Sequence, residues 1–90
     1  MGVIHLTGTL RCAPDQQQNV RDALPDHIAL TRAEPGCLEF EVVETAPGLF
    51  AVSELFSDQA AFDAHQTRTR ASAWFAVSEG MVREYKITTV

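Results

Sequence analysis

Apolar residues recur at every second position in four separate stretches of this chain, and at three- or four-residue spacing in the stretches between them. That switching period limits the folds the chain can adopt. Residues 3–12 set Ile4, Leu6 and Leu10 against His5, Thr7, Thr9 and Arg11, the pattern of a strand. Pro14 and Asp15 then open a helix, because proline is tolerated in a first turn and an acidic group complements the positive end of the helix dipole. Val20, Leu24, Ile28 and Thr31 continue at helical spacing. Pro25 interrupts that stripe and predicts a kink or a division near Leu24, since it lacks a backbone donor. Glu34-Pro35-Gly36 stops the helix. Residues 37–45 alternate again, Leu38, Phe40 and Val42 against Glu39 and Glu41. Ala46-Pro47-Gly48 turns the chain into a return strand over 49–56. Ser57-Asp58 offers an N-cap to a helix beginning QAAFDAHQ, with Ala61, Phe62 and His65 on one face. Residues 71–79 read as a further helical stretch carrying Trp74, Phe75 and Val77, ended by Gly80, and residues 81–90 alternate as a last strand.

The resulting order is βαββαβ. It predicts an α+β, ferredoxin-like domain over residues 1–90, with an antiparallel sheet in the order 4-1-3-2 and helices on one face. Ninety residues give a thin core. The return strand is apolar on both sides, with Phe50, Val52 and Phe56 on one and Leu49, Ala51 and Leu55 on the other. A sheet face without helices is ordinarily polar, so a second copy is the expected cover and a homodimer the expected assembly. Cys12 and Cys37 are too few for a disulfide framework. They sit at the ends of strands that are not neighbours in this order, so both are expected to be free thiols.

Charge narrows the function classes. Twelve Asp and Glu against seven Lys and Arg give a net charge of −5, which repels nucleic-acid phosphate and anionic lipid. The longest apolar run is a few residues, too short to span a membrane. The segment Met1-Gly2-Val3-Ile4-His5 has neither the charged nor the apolar region of a signal peptide, so a cytoplasmic location with reduced thiols is expected.

Among residues that could carry chemistry, His65 stands first, as the one ionisable group on an apolar helical face. A histidine so placed can take a proton from a phenol near neutral pH. The competing reading is a core histidine bonded to a carbonyl. Trp74 and Phe75 offer an aromatic wall for a flat substrate, though a tryptophan on an amphipathic helix also packs as core. Phe62 and Phe40 join them as candidate substrate contacts. Glu54 shares a strand face with Val52 and Phe56, where a carboxylate needs a partner such as His65 or Arg68. Arg68 and Arg70 are candidates for binding an anionic substrate oxygen, though such residues are more often solvated. The three histidines show no metal-ligand spacing and no glycine-rich loop follows a strand, so neither a metal nor a nucleotide cofactor is expected.

Glu34-Pro35-Gly36-Cys37, and the run from Val52 through Ser57-Asp58 to Ala64-His65, resemble the antibiotic biosynthesis monooxygenase family. The resemblance extends over nearly the whole chain. It implies a dimeric α+β barrel with two sheets back to back and helices outside, and it implies cofactor-free oxygenation of quinols or polycyclic phenols. One branch of that family degrades heme with an Asn on the first strand and a Trp and a His in the second helical region. The first strand here has no Asn and His65 precedes Trp74, so heme degradation is not expected. The expected activity is oxidation of a small aromatic quinol or phenol by dioxygen without a cofactor. The alternatives are a cofactor-free isomerase or cyclase, and a module that binds a small aromatic molecule.

Overall fold

A computed structural model describes residues 2–90; Met1, which begins the N-terminal segment read above, lies outside the described residues. Strand β1 (Ile4–Arg11) leads through a single 3-10 turn (Pro14–Gln16) into helix α1 (Gln17–Arg32). Strands β2 (Cys37–Ala46) and β3 (Leu49–Phe56) form a hairpin. Helices α2 (Gln59–Arg70) and α3 (Ala73–Ser78) precede strand β4 (Val82–Thr89). The sheet order is β2-β3-β1-β4, all pairs antiparallel. This is the α+β, ferredoxin-like arrangement that the alternation predicts.

The helices pack on the face formed by Ile4, Leu6 and Leu10 of β1 and Phe50, Val52, Glu54 and Phe56 of β3, all buried. Val20, Leu24 and Trp74 close the core from the helix side. Among the described residues no helix covers the opposite face, where Leu49 and Leu55 are half-buried and Ala51 is exposed. Strand β4 overhangs the helices: even Ile87, which pairs with buried Leu6, is 54% exposed.

Three expectations differ in detail. Pro25 does not divide α1, which is continuous. Its ring lies on the exposed side, where the carbonyl it leaves without a donor can reach water. Leu38 does not share the core face with Phe40. The β2–β3 register shifts between Cys37 and Glu39, and the extra residue turns Leu38 outward to 57% exposure. The buried stripe of α1 is Val20, Leu24, His27 and Thr31, with Ile28 only half-buried. Cys12 and Cys37 are both free thiols, as expected.

Candidate active site

The local chemistry begins at the joint between α1 and β2. Gly36 has φ +86°, a conformation that favours glycine, and a Cβ there would lie 2.6 Å from the Ala61 side chain and 2.8 Å from Ser57 Oγ. Lacking that atom, the start of β2 lets α2 approach closely. The Ser57 amide donates to the Gly36 carbonyl at 2.8 Å, and Asp58 caps α2 by accepting from the Ala61 amide, also at 2.8 Å. Glu34 is thereby set against the far half of α2.

Glu34 bonds two residues one helical turn apart. Its Oε1 lies 2.7 Å from Nδ1 of His65, and its Oε2 accepts from Arg68 Nε at 3.0 Å. Arg68 also donates to Thr31 Oγ1 at 2.9 Å, tying α2 to the end of α1. Burial works to raise the Glu34 pKa, but the hydrogen bonds from Arg68 and His65 outweigh it and hold the carboxyl below its ordinary range. Glu34 is therefore a carboxylate at neutral pH. Burial pushes the His65 pKa down, with Glu34 opposing. A neutral imidazole facing a carboxylate carries its proton on Nδ1, which leaves the lone pair on Nε2. That nitrogen lies 3.5 Å from Thr69 Oγ1 and 3.9 Å from Oε1 of Glu54.

His65, Thr69 and Glu54 all line a cavity of about 350 Å³ between the sheet and the helices. Leu6, Leu10, Tyr85 and Arg83 line it from the sheet, and His27 and Trp74 from the helices. His27 stacks on Trp74, ring centroids 5.0 Å apart and planes within 11°, and its ring lies 5.9 Å from that of His65. Burial drives the His27 pKa down to about 4, with the charge of His65 whenever it is protonated and the charge of Arg68 adding to the effect, so it is neutral. Burial, reinforced by the charge of Glu34, pushes the Glu54 pKa up to about 7. Two buried polar atoms here, Glu54 Oε1 and His27 Nδ1, have no hydrogen-bond partner among the described residues. Such orphans are costly in a finished core and suit a site that a polar ligand completes.

Of the residues selected from sequence, His65, Glu54, Trp74, Phe75 and Arg70 meet at this cavity. Phe40, Phe62 and Arg68 are not among its lining residues. Phe40 packs edge-on to His27 and tilted against His65. Phe62 packs against Phe56, and Arg68 stands behind the cavity on Glu34. Sequence reasoning missed His27, Glu34 and Tyr85. His27 had a readable signal, since it falls on the helical stripe seven residues after Val20. Glu34 had none beyond its place in the helix stop. Among the described residues, no three His, Cys, Asp or Glu side chains are grouped to hold a metal ion.

A family model described as antibiotic biosynthesis monooxygenase matches residues 3–77. Solved structures share the fold. A protein of unknown function from Nitrosomonas europaea superposes with TM-score 0.80 at 24% identity, over 100% of this chain and 90% of that one. A protein titled "putative antibiotic biosynthesis monooxygenase" from Caulobacter crescentus gives 0.75 at 23%, over 99% and 90%. One with the same title from Bacteroides thetaiotaomicron gives 0.77 at 21%, over 99% and 87%. No curated protein matches the chain in sequence.

Proposed function

The chain belongs to the antibiotic biosynthesis monooxygenase family, and from that premise we propose that it oxidises a small electron-rich phenol or quinol with dioxygen, using His65 as proton acceptor. The observation that carries the reading is the 2.7 Å contact between Glu34 and His65 Nδ1, with the other ring nitrogen next to Thr69 and Glu54, two residues that line the cavity. A fixed tautomer with its lone pair toward a substrate hydroxyl is what a general base requires.

In the proposed reaction the phenol hydroxyl gives its proton to His65 Nε2. The phenolate passes one electron to dioxygen, and the two radicals recombine at a ring carbon as a hydroperoxide. Cleavage of the O–O bond with loss of the ring hydrogen leaves one oxygen on the ring as a quinone carbonyl and releases the other as water. The substrate supplies the electrons. The protein supplies a base, an aromatic wall at Trp74 and a site that limits water.

The working unit in this reading is a homodimer. The helix-free face carrying Leu49, Ala51 and Leu55, and the overhanging β4, support that assembly. Oxygen uptake tests the function: purified protein with a panel of quinols and phenols, without added metal or flavin, consumes oxygen in step with quinone formation. Turnover that persists without oxygen would assign an isomerase instead, and binding without turnover a binding module.

A further inference from the structure

We propose that the cavity selects substrates bearing an anionic substituent, a hydroxyarene carboxylate, with Arg83 as the carboxylate-binding group and Arg70 lining the same cavity; this deepens the reading above and rests on it. The charge pattern around the cavity motivates the proposal. The chain carries a net −5, yet two arginines line this one cavity and neither has a carboxylate partner among the described residues. Arg83 is held by neutral acceptors. Its guanidinium donates to the Ser78 carbonyl at 2.8 Å, to Ser78 Oγ at 3.2 Å and to the Met81 carbonyl at 3.2 Å. Those bonds fix its orientation at the end of α3 without neutralising its charge. A guanidinium fixed in this way offers its remaining N–H groups to a carboxylate with little further ordering cost. Two carboxyl groups share the lining, Glu79 and Glu54, the latter 3.9 Å from His65 Nε2.

The sheet register places this cation away from Glu54, which neighbours the proposed base at 3.9 Å. Glu54 pairs with Leu6 of β1, and Arg83 pairs with Leu10 of the same strand on its other side. Four residues along β1 and two strand spacings across separate them, roughly 13 Å by 10 Å between backbones. Both residues line the one cavity, so a substrate within it can meet the two ends at once. Gly8 lies between the two pairs. A Cβ there would collide with the Glu84 carbonyl and also come 2.8 Å from the Tyr85 ring, so the glycine lets the β4 backbone, and Tyr85 with it, lie close to β1 between the two ends. A substrate hydroxyl at His65 and a carboxylate at Arg83 would hold the ring against Trp74 in one orientation.

Anaerobic titration calorimetry with 2,5-dihydroxybenzoate and its methyl ester tests this without depending on turnover. The acid is expected to bind at least about tenfold more tightly than the ester, since a charge-assisted hydrogen bond is lost with the charge. In Arg83→Gln that acid-to-ester ratio falls towards one. Arg83→Lys, which keeps the charge, restores part of the preference, and circular dichroism verifies that each variant is folded. Equal affinity for acid and ester in the wild type, binding of neither, or an undiminished ratio in folded Arg83→Gln would overturn the proposal. Selective acid binding with no oxygen uptake from any quinol leaves the carboxylate site standing and removes the oxygenase reading.

Discussion

Glu34 and His65, thirty-one positions apart in sequence, are joined by a 2.7 Å contact between a carboxylate oxygen and a ring nitrogen. The contact depends on Gly36. Any side chain there meets Ala61 and Ser57 of the α2 start, so helix and strand would separate and the carboxylate would withdraw from the ring. The Glu-Pro-Gly segment therefore ends a helix and also sets the tautomer of the proposed base, which links backbone conformation to chemistry in three residues.

Replacing the base tests the chemistry directly. His65→Ala and His65→Gln are expected to lower quinol-dependent oxygen uptake by ~10²–10⁴-fold, the usual worth of general base catalysis. KM should change less than kcat, because the base acts mainly in the transition state. His65 is only 3% exposed, so the alanine variant also opens a cavity, and melting temperatures must accompany the rates. Wild-type rates in both variants would make His65 a core residue.

Glu34→Gln separates positioning from packing. The amide is nearly isosteric but loses the charge that raises the His65 pKa against burial. The acid limb of the kcat/KM profile should therefore move to lower pH, and kcat should fall by roughly one to two orders of magnitude as the tautomer is released. A residue that only braced α2 through Arg68 would change the melting temperature and leave the pH profile where it was.

The fold was legible because its signals are local. Alternation gave the strands, and Pro14, Gly36, Gly48 and Asp58 punctuate them where the chain turns or caps. Leu38 departed because a bulge depends on how two strands register, which neither strand records alone. Pro25 leaves α1 undivided because its effect depends on which side of the helix faces solvent. The candidate site was half legible. His65 stood out as the ionisable group on an apolar face, whereas the carboxylate that orients it comes from another element through a contact that alternation cannot signal.

Assembly is open to direct measurement. Light scattering at micromolar concentration should give twice the 9.9 kDa chain mass. Ala51→Glu places an unpaired charge in the middle of the helix-free face, at a position already exposed, and should yield a folded monomer. A monomeric wild type would end the dimer reading, and a dimeric Ala51→Glu would move the interface to another surface.

Glu54 should make stability depend on pH in an unusual direction for a carboxyl group. Its pKa is about 7 in the folded chain against 4.5 for the free group, because burial disfavours the charged form. The folded state thus holds the proton more tightly than the unfolded state. The associated stability is fully present below pH 4.5 and is lost as pH rises through 7. Glu54→Gln keeps the shape and cannot ionise, so it isolates this effect from the histidines, whose lowered pKa values act in the opposite direction below neutrality. In paired urea titrations the glutamine variant should gain on the wild type between pH 5 and pH 8, by on the order of 2–3 kcal/mol at the upper end. A constant difference across that range would mean that Glu54 ionises as freely folded as unfolded, and the buried carboxyl would then be charged when substrate arrives.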